Sequence, residues 1–263
     1  MDLELNGKVA IVGGASKGLG RACSEVLAEE GVRVAMCART VSDLERAADE
    51  IRAATGADIY TFAGDLDKEE TIAELVANTA SHFGQLDIMI NNSGGPPQAY
   101  AQDSTEELWQ VSANRSLFFF ARMTREALPH LRAQGGGRII NILASTVYTP
   151  IPNLALSAAT RMGVIGFMKN LADDIGHENI LINNVCPGSI MSERMMENVE
   201  DRARTQGIPI EDALAQRAEQ TALKRIGEPR ELAYLVAFLA SSRSSYITGT
   251  TMLVDGGLVR SVM

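Results

Sequence analysis

Gly13-Gly14-Ala15-Ser16-Lys17-Gly18-Leu19-Gly20 directly follows a short apolar run, Lys8 to Val12. Glycines at this density allow a tight turn and close backbone approach to an anion. A helix starting at Gly18 would add free N–H groups and its positive dipole end. The strand before and the amphipathic stretch after are the context a dinucleotide site requires. Gly14, Ser16, Lys17, Gly18, Leu19 and Gly20 are therefore candidate contacts to a pyrophosphate. A second signal lies at Met36-Cys37-Ala38-Arg39-Thr40. An NAD site needs a carboxylate here for the ribose hydroxyls, and none is present. Arg39, with its fixed fork of donors, is suited instead to a 2′-phosphate, with Lys17 adding a second positive charge. The cofactor expected is NADP(H).

The elements that must position these residues alternate regularly. Apolar runs at Lys8 to Val12, Val32 to Ala38, Ile59 to Ala63, Leu86 to Ile90, Arg138 to Leu143, Leu181 to Val185 and Thr250 to Val254 read as strands. Between them lie helical periodicities, including Leu19, Cys23, Val26 and Leu27, a long stretch from about Trp109 to Ala133, and another from about Ser157 to Ile175. The strands are continuously apolar, as in a sheet covered on both faces. Alternation of this kind means right-handed crossovers and a parallel sheet. The prediction is one Rossmann-type, doubly wound α/β domain spanning residues 1–263. Ser189 to about Thr221 is patterned more weakly and reads as a helical lid. Met191, Met195 and Met196 in it suggest adaptable contacts to a mainly apolar substrate, with Pro96, Pro97, Tyr100 and Ile151 opposite.

The 263 residues are 46% hydrophobic and 22% charged, with a net charge of −9, enough chain to bury one large core. The acidic balance argues against nucleic acid or anionic membranes as partners. No apolar run reaches the roughly 18 residues of a membrane span, and the first residues lack a signal-peptide pattern. A cytoplasmic protein is expected. Cys23, Cys37 and Cys186 fit no zinc or redox spacing, so no metal site is expected. His82, His130 and His177 fall late in helices or just after them and are given no catalytic role.

Several motifs in order give this chain a resemblance to the short-chain dehydrogenase/reductase family over nearly its full length. They are Gly14-x-x-x-Gly18-x-Gly20, Asp65-Leu66, Asn91-Asn92-Ser93-Gly94, Pro187-Gly188, and Gly249 with Val254-Asp255-Gly256-Gly257. The resemblance implies that Asp65 and Leu66 contact the adenine. It implies that Asn91 and Gly94 line the cleft, Asn91 also supporting the sheet, and that Pro187, Gly188, Ile190 and Ser192 hold the nicotinamide end. All follow the carboxyl ends of strands, where ligands bind in open α/β sheets. Asp65 could also cap the helix beginning near Lys68. The family further implies a homotetramer, and the run Leu117-Phe118-Phe119-Phe120 is more apolar than one buried helix face needs.

Common members of the family use Ser, Tyr-x-x-x-Lys and Asn in catalysis. Aligned on their neighbours, those positions here hold Ala144 (followed by Ser145), Ser157, Arg161 and Ser116, with Asn114 close by. A serine is a far poorer acid than a phenol of pKa about 10, and Arg161 donates hydrogen bonds without shuttling protons. Arg161 can still hold the cofactor ribose and stabilise a developing alkoxide. Tyr148 is the nearest alternative phenol; Ser145 and Thr146 could polarise a substrate. The candidate catalytic set is Arg161, Tyr148, Ser157 and Ser145. The activity expected is reduction of a small carbonyl, or oxidation of the alcohol. The alternatives are an NADP(H)-binding protein without redox turnover and, third, a non-redox enzyme such as the halohydrin dehalogenases, which also carry Arg for Lys but lose the glycines.

Overall fold

The computed structural model describes residues 1–261 as a seven-stranded sheet flanked on both faces by helices. In chain order the strands are β1 (Val9–Val12), β2 (Arg33–Ala38), β3 (Ile59–Ala63), β4 (Ile88–Asn91), β5 (Gly137–Ile142), β6 (Ile180–Pro187) and β7 (Thr251–Val254). Every pairing is parallel, in the order β3-β2-β1-β4-β5-β6-β7. The chain starts at the middle of the sheet, runs outward, then returns past β1 and runs the other way. That reversal between β1 and β4 opens a crevice at the carboxyl ends of the strands.

The helices are α1 (Gly18–Glu29), α2 (Val41–Thr55), α3 (Glu69–Phe83), α4 (Glu106–Ala113), α5 (Phe119–Ala133), α6 (Ala155–Ile175), α7 (Glu193–Gln206), α8 (Ile210–Glu219) and α9 (Pro229–Ala240). Alternate strand residues face opposite ways. Ala10, Val12, Val34, Met36, Ile140 and Val185 pack against α1, α2 and α9. Val9, Ile11, Ala35, Met89, Ile139 and Ile182 pack against α3, α5 and α6. Both faces are dry, which explains why the strands carry no polar alternation.

Strand boundaries differ from the sequence reading by one or two residues, the fraying expected at element ends. The long helix expected from Trp109 begins earlier, at Glu106, where the Thr105 hydroxyl accepts from the Leu108 N–H at 3.4 Å. It also contains a π-helical turn, Asn114–Phe118, between α4 and α5. The expected lid is two helices, α7 and α8, joined through Gly207 and Pro209 and packed over their own small core of Met195, Val199, Ala203 and Ala213. Its base is tied on both sides, because Gly227 N–H donates to Ser189 O at 2.9 Å and Met191 N–H to Gly227 O at 2.8 Å.

Candidate active site

The glycine loop joins β1 to α1 and is braced from two neighbouring strands. Gly13 N–H donates to Ile90 O at 3.1 Å and Ala15 N–H to Cys37 O at 2.9 Å. The Asn92 amide donates to Gly13 O at 3.0 Å. Gly14 has φ +57°, a left-handed conformation glycine adopts without cost. A Cβ on Gly20 would lie 2.3 Å from Gly14 O, so only glycine lets α1 begin so close beneath the loop. Leu66, nearly buried, lies against Gly13. Ser192 sits beside Gly18, and its hydroxyl caps α7 by accepting from Met195 N–H at 3.2 Å. The nucleotide-side candidates therefore converge on one rim of the crevice.

The two expected phosphate cations differ. Arg39 is exposed at the end of β2 and has no hydrogen bond or ion pair among the described residues. Lys17 is paired with Glu193 at the start of α7, and this bond raises its pKa. Asp65 turns its carboxylate to the Asp67 N–H at 3.2 Å. It thus closes a turn before α3, whose N-cap is Lys68.

Asn91 is fully buried and starts a chain of side-chain amides across four strands. Its Nδ2 donates to Asn141 Oδ1 at 2.8 Å, Asn141 Nδ2 to Asn184 Oδ1 at 2.9 Å, and Asn184 Nδ2 to Thr251 Oγ1 at 3.0 Å. These residues are register partners on β4, β5, β6 and β7. The expected role of Asn91 in supporting the sheet is thus one end of a longer ladder. Asn141 and Asn184 were not singled out in the sequence. Their signal was an Asn inside successive apolar runs, a place where an unpaired amide would be costly.

On the other side of the crevice, α6 turns Ser157 and Arg161 inward, one helical turn apart and both buried. Arg161 Nη1 donates to Ile142 O at 3.1 Å, while its Nε has no partner. Burial lowers its pKa to about 10, so it stays charged at neutral pH. Ser145 is buried in the turn that follows β5. Cys186 lies close enough to Arg161 to feel its charge, yet burial holds the thiol up at about 12. Tyr148 is half-buried, and its hydroxyl donates to Thr251 O on β7 at 2.8 Å. Burial raises its pKa as well. A proton-donating role would require this phenol to release the strand carbonyl.

The π turn separates the two candidates on its helix. The Asn114 amide is held by the β3–α3 connection, donating to Asp67 O at 2.9 Å and accepting from Arg122 Nη1 at 2.7 Å. Ser116 is buried with an unpartnered hydroxyl. Asn91 Oδ1, Ser116 Oγ, Thr146 Oγ1, Arg161 Nε and Ser189 Oγ are all buried without partners. Groups left so are rare in proteins; these lie at the end of β4 and on the segments that follow β4, β5 and β6, around the crevice. They fit a site built for a polar ligand and ordered water.

A parallel sheet with this reversal, a glycine cradle at it and unsatisfied polar groups along it define a dinucleotide-binding α/β protein. Comparison with known proteins is more specific: the chain belongs to the short-chain dehydrogenase/reductase family. Residues 14–259 match the family model described as Enoyl-(Acyl carrier protein) reductase. The 3-oxoacyl-[acyl-carrier-protein] reductase FabG of Staphylococcus epidermidis is 33% identical over 251 residues, 95% of this chain and 98% of the relative. Dehydrogenase/reductase SDR family member 4 of Oryctolagus cuniculus is 30% identical over 254 residues, 96% and 94% of the two chains. The structure of L-sorbose reductase from Gluconobacter frateurii, complexed with NADPH and L-sorbose, superposes with TM-score 0.95 at 30% identity, covering all of both chains. The chain is thus an oxidoreductase of this family. Among the described residues no helix is long and apolar enough to cross a membrane, and no cluster of potential metal ligands occurs.

Proposed function

We propose that the protein is an NADPH-dependent reductase of a small carbonyl compound, or the reverse alcohol dehydrogenase, with an atypical proton-transfer site. The observation that carries this is the pairing of a complete nucleotide cradle with a buried, partly unsatisfied Arg161 across the crevice. The NADPH in the L-sorbose reductase structure supports the cofactor, as does Arg39, left without an acidic partner.

In this reading Gly14, Ser16, Lys17, Gly18, Leu19 and Gly20 hold the pyrophosphate and Arg39 the 2′-phosphate. Asp65 and Leu66 border the adenine. Asn91, Gly94, Pro187, Gly188, Ile190 and Ser192 border the ribose and nicotinamide. The bound cofactor supplies hydride. Ser157 and Arg161 stand at the family's Tyr and Lys positions, and Ala144 and Ser116 at its Ser and Asn positions. Arg161 holds the ribose and stabilises negative charge growing on the substrate oxygen, a preorganised effect strongest in a dry site. Ser145 and Ser157 orient that oxygen.

Two routes for the proton remain. Tyr148 has the only intrinsically suitable acid. Its bond to Thr251 favours the second route, water ordered by Ser157 and the unpartnered Ser116 hydroxyl. The α7–α8 unit acts as the substrate lid, its first turn meeting the glycine loop through Glu193 and Lys17. Phe118 and Phe167 are about half exposed along a groove of about 550 Å³ beside α5 and α6, and Met162 is about half exposed on α6. They suit a face covered by a second copy in a homotetramer, while Phe119 and Phe120 fill the monomer core.

The test pairs binding with turnover. NADPH should bind at least about tenfold more tightly than NADH, and a carbonyl panel should yield nicotinamide oxidation. NADPH binding with no turnover on any carbonyl or alcohol would make the protein a cofactor-binding subunit instead. Equal or tighter NADH binding would remove Arg39 from the 2′-phosphate.

A further inference from the structure

Most arginines in this acidic chain sit in ion pairs with carboxylates, including Arg194 and Arg204 on α7. Arg202 on α7 and Arg217 on α8 are exceptions within 4.0 Å, among the described residues. Their hydrogen bonds go to neutral amides: Arg202 Nη2 to Gln216 Oε1 at 3.0 Å and Arg217 Nη1 to Gln220 Oε1 at 3.3 Å. Arg202 Nε is buried with no partner at all. Burial, and then the charge of Arg202, lower the pKa of Arg217, with no acid acting in the other direction. Like charges repel, the more so where burial strips solvent as at Arg217, and a buried guanidinium donor without an acceptor, as at Arg202 Nε, is costly. An anion seated between them removes both penalties, and guanidinium donors match carboxylate and phosphate oxygens.

The pair also lies where a substrate could reach it. Asn198, one turn before Arg202 on α7, accepts from Gln98 Nε2 at 2.8 Å. That edge of α7 therefore borders the β4–α4 connection, the wall of the crevice facing the lid. Arg202 is nine residues after Glu193, the partner of Lys17, or roughly 14 Å along the helix. That separation puts the pair well beyond the glycine loop and its pyrophosphate.

We propose that Arg202 and Arg217 form an anion subsite in the lid, and that the physiological substrate carries a carboxylate or phosphate group distant from its reacting carbonyl. The inference rests on the reductase reading for its biological meaning and revises the expectation of a mainly apolar substrate. The apolar residues around Met195 are the lid's own core, whereas Arg202 Nε, a buried donor without a partner, is cationic.

The test compares matched substrates on the NADPH-loaded enzyme: oxo acids of increasing chain length against their methyl esters, and hydroxyketone phosphates against the free hydroxyketones. The acid or the phosphate should be preferred in kcat/KM by at least about tenfold, and whichever pair shows it identifies the anion. In the Arg202→Gln/Arg217→Gln enzyme this preference should collapse through KM, with kcat for the anionic substrate little changed. Arg202→Lys should restore part of it, and Arg204→Gln, on the same helix, should leave it intact. No preference in the wild type, or a preference that survives the double substitution, would overturn the subsite. Calorimetric titration of adipate and of inorganic phosphate with NADPH present gives a readout independent of turnover. If no carbonyl is reduced, the reductase reading fails alone. The subsite then stands if the wild type binds either anion at least about tenfold more tightly than the double variant, and falls if it does not.

Discussion

The two walls of the crevice are built from different materials. On the β1–α1 side the groups offered to a ligand are largely backbone: N–H groups of a loop whose shape is fixed by glycines and by hydrogen bonds from neighbouring strands. On the α6 side they are side chains, Ser157 and Arg161, together with hydroxyls that have no partner in the protein. A backbone site tolerates almost no change, because a new Cβ meets main chain. A side-chain site can be rewritten by substitution without disturbing the helix that carries it. On the proposed reading, this accounts for glycines kept in the loop beside Ser157 and Arg161 at the family's Tyr and Lys positions.

The largest effect should come from the backbone wall. Gly20→Ala forces a Cβ to within 2.3 Å of Gly14 O. It should weaken NADPH binding by at least about a hundredfold, with a loss of roughly 1–3 kcal/mol in stability from overpacking. Gly166→Ala, on the exposed side of α6, meets nothing within 4 Å and should change NADPH affinity by less than about threefold, the ordinary range for an unstrained surface substitution. Fluorescence titration and thermal unfolding of both variants measure the contrast directly. Similar losses in the two would end the claim that loop geometry, rather than glycine content, makes the site.

Next comes the amide ladder that supports the floor between the walls. Asn141→Ala leaves the Asn184 acceptor buried without a partner and the Asn91 amide with only its 3.4 Å bond to Thr124 Oγ1. It should cost about 2–4 kcal/mol, roughly one to three for the stranded acceptor and about one for the lost Asn91 bond, as read by denaturant unfolding. A smaller effect follows for the cofactor cations. Arg39→Ala should weaken NADPH by about tenfold to a hundredfold while sparing NADH, the worth of charge-assisted bonds to one phosphate. Lys17→Ala should cost less, because its ammonium is already shared with Glu193. If Lys17 proves the stronger of the two, the pair with Glu193 opens on binding.

The smallest effects concern the proton. With the bond from Tyr148 to Thr251 intact, Tyr148→Phe should lower kcat by less than about threefold, below the range typical for losing a general acid. A tenfold loss or more would restore the phenol as donor. The pH dependence of kcat/KM should be flat between about pH 6 and 9. Burial raises the Tyr148 phenol, Cys186 lies at about 12 and Arg161 at about 10. None of them changes charge in that window, and a bend inside it would reveal a titrating acid elsewhere in the site.

The sequence made the backbone wall legible and the side-chain wall only partly so. Glycine spacing after an apolar run specifies a turn, a helix start and a ligand geometry together, so the loop could be read from eight residues. The parallel, doubly wound sheet followed from the alternation of elements, apart from the exact strand ends; the strand order did not. What a side chain bonds to depends on neighbours distant in sequence. The partner of Tyr148 is 103 residues away, and that of Lys17 is 176 away. Nothing near Arg202 or Arg217 in the sequence shows that their companions would be neutral amides. Asn114 and Ser116 were both candidates on one helix. The π turn, which no periodicity reveals, holds Asn114 to Asp67 and leaves the Ser116 hydroxyl without a partner.

The central claim is that NADPH held at the glycine wall delivers hydride to a substrate whose developing charge Arg161 stabilises. It is tested most directly by deuterium transfer from NADPH carrying deuterium at both C4 positions to the alcohol product, measured by mass spectrometry for the wild type and for Arg161→Ala. The wild type should place one deuterium on the carbinol carbon at each turnover. Arg161→Ala should slow that transfer by at least about a hundredfold, the scale of removing one oxyanion-stabilising group. Transfer at the wild-type rate in Arg161→Ala, or product formed without deuterium, would contradict the account.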